Sequence, residues 1–439
     1  MRYRKCLASF AWIAVFIVVG LSPRILDARG PGGTAAAQNG TGGVFHVGGG
    51  VAPPANGRKV PVFDVDTTFP KLPNNWVLGN VSKVVVDRHD NVWFIHRPLM
   101  PGLKVPEGKT PAPPVLEFDA AGKFIQAWGG PAAGYDWPDT EHNIFVDQKD
   151  NVYITGSSPN NSKTANSDDM LLKFTDRGKF IFQIGGRNAS LGNKDPKSVN
   201  KPGDLFVDSR KNEIYAADGY GNRRVIVFDA DNGVFKRMWG AFGRPVEDVP
   251  GAGGRGAGGG PPVVLGAREG GGEGRGAPPA LETTGDGPQQ FGLVHSVVIS
   301  NDNIVYVGDR PNRRVQLFTT EGKYIKEFFI NRAGPSAASV AGLAFSPDKE
   351  QQFLYVADYG NSHIVVVDRK SLEVLYQLGK RSAAPGDFQG VHHLAVDSKG
   401  NLYTAEVAPG ARIQRFAFKG LSSTLPPSAL SQLQLAPKP

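Results

Sequence analysis

The chain has one cysteine in 439 residues, Cys6, and it lies among the basic residues that open the sequence. If that opening segment is removed, the protein has no disulfide, no thiol nucleophile and no cysteine metal ligand, so any metal must be held by histidine and carboxylate. Long apolar runs are scarce as well. The run from Leu7 to Leu21 follows Arg2, Arg4 and Lys5 and gives way to a polar, Gly/Pro-rich stretch. This pattern reads as a secretory signal over residues 1–30, too short for a comfortable membrane span, and predicts a secreted or periplasmic protein. Cleavage is expected after Ala28 or within Ala35 to Ala37, with an uncleaved anchor as the alternative, and Cys6 is wrongly placed for a lipoprotein anchor. Strong charge is lacking too. Residues 1–30 hold five basic side chains and one acidic, so their loss takes the formal charge from +8 to about +4. That gives little support for a nucleic-acid partner.

What the chain does have is repetition. Phe291 to Phe318, FGLVHSVVISNDNIVYVGDRPNRRVQLF, contains three short runs rich in Val, Ile and aromatics, each bounded by Asn, Asp, Gly or Pro, and KYIKEFF follows after Glu321-Gly322. Runs this short between turn residues predict antiparallel strands, and four of them make one propeller blade. The same pattern occurs six times, anchored on the aromatic of the second strand: Trp93, Tyr153, Tyr215, Tyr306, Tyr355 and Tyr403. The sixth copy lacks an outer strand, whereas Val60 to Phe69 precedes the first copy as an orphan. The fold class expected is therefore all-β, a six-bladed β-propeller with the N-terminal strand closing the last blade and leaving no open edge.

The remaining stretches are read by composition. Residues 31–59 form a flexible linker, the propeller spans 60–420, and 421–439 form a C-terminal tail. Within the propeller, Val249 to Ala280 is dominated by Gly, Pro, Ala and Arg and is expected to be a disordered insertion. It is not a phosphate-binding loop, because no strand leads into its glycines and no helix follows.

Aligning the first strands brings out a second pattern. Five residues before the residue that ends each strand stand Ser82, His142, Gly203, His295, Ala341 and His392. Histidine thus occupies alternate blades. Equivalent inner-strand positions in blades two, four and six lie about 120° apart around a central channel, so the three imidazoles should converge. Three neutral histidines with a fourth position open suit a catalytic zinc. Just beyond the second strands come Arg97, Arg310 and Gly219-Tyr220. Each has an ordinary reading, as a salt-bridged strand-end arginine or a tyrosine packed at a turn. Beside a metal centre, two guanidiniums suit a carboxylate or a developing oxyanion, and a phenol can serve as a base.

The segments HRP, EHNIFVD, DGYGNRRVIVFD, FGLVHSVVIS with GDRPNRRVQLF, and VHHLAVD resemble, over about 60–418, the NHL-type propellers of the peptidyl-α-hydroxyglycine α-amidating lyase family. The resemblance implies a zinc-dependent carbon–nitrogen lyase that splits a carbinolamide into a peptide amide and glyoxylate. It implies His142, His295 and His392 as zinc ligands, Tyr220 as the base, and Arg97 and Arg310 as substrate-orienting or charge-stabilising groups. His393 stands where the family usually has an aspartate that helps bind a structural calcium, so the sequence counts against calcium, and Gly390 stands where a pocket-lining methionine is typical of the animal enzymes. The partner expected is a small-molecule or peptide substrate with a terminal carboxylate, and the chain is expected to be a monomer. Two other classes stay open: a non-catalytic NHL scaffold, and a metal-dependent propeller hydrolase or lactonase, which would place carboxylates at the channel register.

Overall fold

A computed structural model describes residues 57–98, 104–159, 164–248, 287–332, 334, 336, 338–425 and 429–430. The signal segment, most of the linker and the insertion 249–280 lie outside the described residues. Among the described residues, no helix is long and apolar enough to cross a membrane.

Six antiparallel sheets follow one another along the chain. Their inner strands are Asn80–Val86, Glu141–Val146, Asp204–Asp208, Val294–Ile299, Val340–Phe345 and Val391–Val396. Blades one to four each take their strands in sequence order. Blade six consists of Val391–Val396, Leu402–Glu406 and Arg412–Ser422 with the N-terminal strand Val60–Asp66 on its outer edge. That strand runs antiparallel to Arg412–Ser422 from the Val60–Ser422 pair to the Asp66–Arg415 pair, and it closes the ring as the repeat predicts. A fifth short strand, Ala429–Leu430, pairs with the outer strand of blade five.

The core is a ring of six interfaces rather than one centre. Successive residues of a strand face opposite sides of its sheet, so each blade must bury both faces. In blade one, Val92 and Phe94 pack toward Tyr403 and Ala405 of blade six, while Trp93 and Ile95 pack toward Ile144 and Ile154 of blade two. The same exchange joins each remaining pair of neighbours. No blade could bury these runs alone, which is why the repeats are stable only as a closed set.

The aromatic that marks each repeat has a local job. In blades one, two and six an aspartate ends the inner strand, accepts the amide hydrogens of the following turn, and receives a hydrogen bond from the aromatic: Trp93 Nε1 to Asp87 at 2.9 Å, Tyr153 to Asp147 at 3.0 Å and Tyr403 to Asp397 at 3.1 Å. The carboxylate, buried in blades two and six and half-buried in blade one, holds the turn and the second strand in one register.

Candidate metal centre

The inner strands are irregular at one place. In five blades the pairing with the second strand slips by one residue, between Val81 and Lys83, Glu141 and Asn143, Val294 and Ser296, Val340 and Gly342, and Val391 and His393. The extra residue of each bulge is Ser82, His142, His295, Ala341 or His392. The sixth equivalent, Gly203, lies just ahead of its strand and bonds Ala217 O at 2.8 Å. A bulge breaks strict alternation and re-aims side chains, which is how this register comes to face the channel.

There the three imidazoles meet. His142, His295 and His392 are fully buried, with ring centroids 5.3, 5.0 and 4.8 Å apart pairwise and planes nearly perpendicular. One ligating atom from each lies within 4.8 Å of the others, and among the described residues this is the one cluster of three or more metal-competent groups. Two tautomers are fixed by the backbone. His295 Nδ1 donates to Ala341 O at 2.6 Å, and His392 Nδ1 donates to Ser82 O at 2.7 Å. A carbonyl can only accept, so the Nδ1 atoms carry the protons and the Nε2 lone pairs are left for the centre. Ala341 and Ser82, two of the small residues at the alternate positions, thus hold His295 and His392 of the preceding blades with their carbonyls. Donor type, burial and tautomer all fit a metal ion such as zinc.

Tyr220 enters from blade three. A Cβ at Gly219 would stand 2.0 Å from Val294 O, so only glycine lets this turn cross the backbone beside His295. The Tyr220 hydroxyl lies 3.1 Å from His142 Nε2 and 3.1 Å from His295 Nε2, and Arg310 Nη1 donates to it at 3.4 Å. Arg310 is itself buried, with its guanidinium 4.3 Å above the Tyr359 ring, whose centroid is 6.2 Å from that of His392. Arg97, also buried, donates from Nε to the Glu141 carbonyl at 2.8 Å, one residue before His142. The Glu141 carboxyl accepts from Trp137 Nε1 at 2.9 Å, and burial pushes its pKa up to about 7.

No family model matches the chain. It is 25% identical over 378 residues to NHL repeat-containing protein 3 of Mus musculus and 23% identical over 365 residues to its Homo sapiens counterpart, covering in each case 81% of this chain and 84% of the relative. It is 24% identical over 232 residues to a probable peptidyl-alpha-hydroxyglycine alpha-amidating lyase, pgal-1, of Caenorhabditis elegans, covering 53% of each. The chain is an NHL-related six-bladed propeller, with a probable lyase among its low-identity relatives. Among solved structures, a streptogramin B lyase superposes with TM-score 0.45 at 12% identity, covering 81% of this chain and 98% of that one. A catalytically inactive virginiamycin B lyase from Staphylococcus aureus with quinupristin gives 0.42 at 13%, covering 82% and 89%.

All six residues singled out in the sequence of this NHL-related propeller therefore lie at or beside the centre. Arg310 reaches it through the Tyr220 hydroxyl, and Arg97 through the backbone next to His142. Sequence reasoning missed Tyr359. Its signal was present, since Asp358-Tyr359-Gly360-Asn361 in blade five repeats Asp218-Gly219-Tyr220-Gly221-Asn222 of blade three with one glycine fewer. It also missed the layer below the imidazoles, because alternation predicts that the residue after each channel residue points away, whereas the bulge brings it inward. Another buried histidine, His96, is structural. It accepts from Gly79 N at 3.1 Å and donates to Pro113 O at 3.0 Å, and burial lowers its pKa to about 4.

Proposed function

We propose that the propeller is a zinc-dependent lyase that cleaves the N–Cα bond of a peptidyl-α-hydroxyglycine-like carbinolamide, giving an amide and glyoxylate. The observation that carries this reading is the buried three-imidazole ring with the Tyr220 hydroxyl 3.1 Å from two of its Nε2 atoms and Arg310 at that same hydroxyl. His142, His295 and His392 would hold the metal, and the chemistry it supplies when bound is Lewis acidity toward the substrate hydroxyl. Tyr220 takes the hydroxyl proton, and the neighbouring Arg310 guanidinium favours the phenolate that does so. The C–N bond breaks as the carbinol carbon becomes the aldehyde carbon of glyoxylate, and the departing amide nitrogen is protonated by an acid or by water. Arg97 and Arg310 orient the terminal carboxylate and offset the developing charge. The likeness to a probable α-amidating lyase supports this choice over a hydrolase or lactonase, as does a channel register that carries imidazoles and small residues rather than carboxylates. Export from the cytoplasm belongs to the same proposal and rests on the segment 1–30.

One observation favours a second reading. The relatives matched over most of their length bear a name that states repeats and no reaction, in keeping with a metal-stabilised binding propeller. The deciding assay is glyoxylate release from α-hydroxyhippurate or an α-hydroxyglycine peptide by protein of measured zinc content. Release that disappears on chelation and returns with zinc is expected. Zinc-loaded protein that forms no glyoxylate would reject the lyase and leave the binding propeller.

A further inference from the structure

One residue beyond the metal register, the six inner strands carry Lys83, Asn143, Asp204, Ser296, Gly342 and His393. The side-chain-bearing members are all buried, Lys83 at 5% exposure and the others at 0%. This layer lies against the three-imidazole ring, with His393 stacked on His295 at 5.4 Å and 20° and its centroid 4.8 Å from that of His392. At its middle Lys83 Nζ of blade one donates to Asp204 Oδ1 of blade three at 2.7 Å and to His393 Nδ1 of blade six at 3.3 Å. Asp204 also accepts from Leu205 N at 2.8 Å and from Val297 N of blade four at 3.2 Å. Lys83 and Asp204 belong to blades that are not neighbours, so the pair spans the channel instead of running along its wall.

The structural calcium implied by the family resemblance does not fit these residues. Calcium takes six to eight oxygen ligands. The layer's one carboxylate is already bonded to an ammonium, His393 turns a nitrogen toward that ammonium, and a divalent ion beside Lys83 would meet like charge with little solvent to screen it.

We propose that the Lys83 ammonium is the propeller's own internal cation, joining four blades at the axis through Asp204 and His393, so that the chain holds one metal ion, in the three-histidine ring, and no calcium. The role is electrostatic and mechanical. A cation tethered to its strand needs no ion to be captured, and its counter-charge comes from two blades further round the ring.

The proposal rests on the three-histidine reading only for the metal count. The test uses the full chain. Wild-type protein equilibrated with excess zinc and calcium and then desalted should carry one equivalent of zinc and no calcium, and its Tm should be the same in millimolar calcium as in a calcium chelator. Lys83→Met, of similar length but uncharged, should lower Tm by roughly 5 °C or more, because it leaves Asp204 buried without its cation. Adding Asp204→Asn should restore at least half of that loss. Bound calcium, a calcium-dependent Tm in the wild type, or a double variant whose loss is the sum of the two single losses would each overturn the proposal. If Lys83→Met does not fold, the calcium measurements on the wild type and Asp204→Asn alone still decide. Absence of zinc would instead defeat the metal reading and leave the Lys83 and Asp204 comparison standing.

Discussion

At the scale of single residues, the centre works through atoms whose options have been removed. His295 and His392 cannot present Nδ1 to a metal, because that nitrogen is committed to a carbonyl of the next blade. Substituting alanine for His142, His295 or His392 should therefore remove zinc and roughly a hundredfold or more of glyoxylate release together, since two ligands do not hold a catalytic zinc; normal zinc content in all three variants would remove the site. Tyr220→Phe deletes only a hydroxyl. It should keep zinc and Tm while the rate falls by roughly 100-fold to 10,000-fold, the range of a lost proton-transfer group. Arg97→Ala and Arg310→Ala should each cost about 1.5–3 kcal/mol in kcat/KM, with zinc retained. Tyr359 supports Arg310 from below. Tyr359→Leu should raise KM for a carboxylate-bearing substrate by roughly 3–30-fold, the value of a buried cation–π contact, and Tyr359→Phe should stay near wild type.

At the scale of elements, the middle hairpins of blades three, four and six are each fastened by an acid that ends the second strand and a base that starts the third. Asp218 pairs with Arg224 at 2.8 Å, Asp309 with Arg314 at 2.9 Å, and Glu406 with Arg412 at 2.7 Å. Arg224 also donates to the carbonyls of Asn193, Asp195 and Ser198, so its guanidinium anchors the loop that leads into blade three. Arg224→Ala should cost about 3–5 kcal/mol in urea unfolding, because Asp218 is left buried and unpaired. Blade five differs: the strand partner of Asp358 is His363, and Asp358 accepts from the amides of Asn331 and Asn361 instead of a guanidinium. Burial raises its carboxyl pKa to about 6. A carboxyl that titrates higher when folded favours folding most at pH values where both states are protonated, and this contribution is lost as pH rises through about 6. Compared with Asp358→Asn, the wild type should lose about 2 kcal/mol of stability between pH 4 and pH 7. A difference between the two proteins that does not change with pH would contradict the assignment.

At the scale of the whole molecule, closure decides stability. Val60 and Phe63 are buried against Tyr355 and Phe388, so the N-terminal strand fills the interface between blades five and six as well as completing a sheet. Deleting residues 1–70 should abolish cooperative unfolding, and deleting 31–55 should leave it intact. An unchanged melting transition without Val60–Asp66 would contradict closure by that strand. Replacing 249–280 by a short Gly-Ser linker should change stability by about 1 kcal/mol or less, since loop-closure entropy grows only slowly with length.

Sequence alone determined the blade number, the closing strand and the convergence of His142, His295 and His392. All three follow from periodicity, and a closed ring converts position in a repeat into position around an axis. Trp93, Tyr153 and Tyr403 were legible because each sits at a fixed spacing from the aspartate it bonds. What only the tertiary structure decided depends on contacts between blades. Whether an imidazole turns Nδ1 or Nε2 inward is set by a carbonyl from the next blade, which no local pattern encodes. The burial of Arg97 and Arg310, where strand-end arginines are commonly solvated, comes from other blades, the inner strand of blade two at Arg97 and the turns that carry Tyr220 and Tyr359 at Arg310. The Lys83, Asp204 and His393 layer appeared only with the bulges, because an extra residue in the inner strand shifts the alternation by one and brings into the channel side chains that period-two reasoning assigns to the sheet interior.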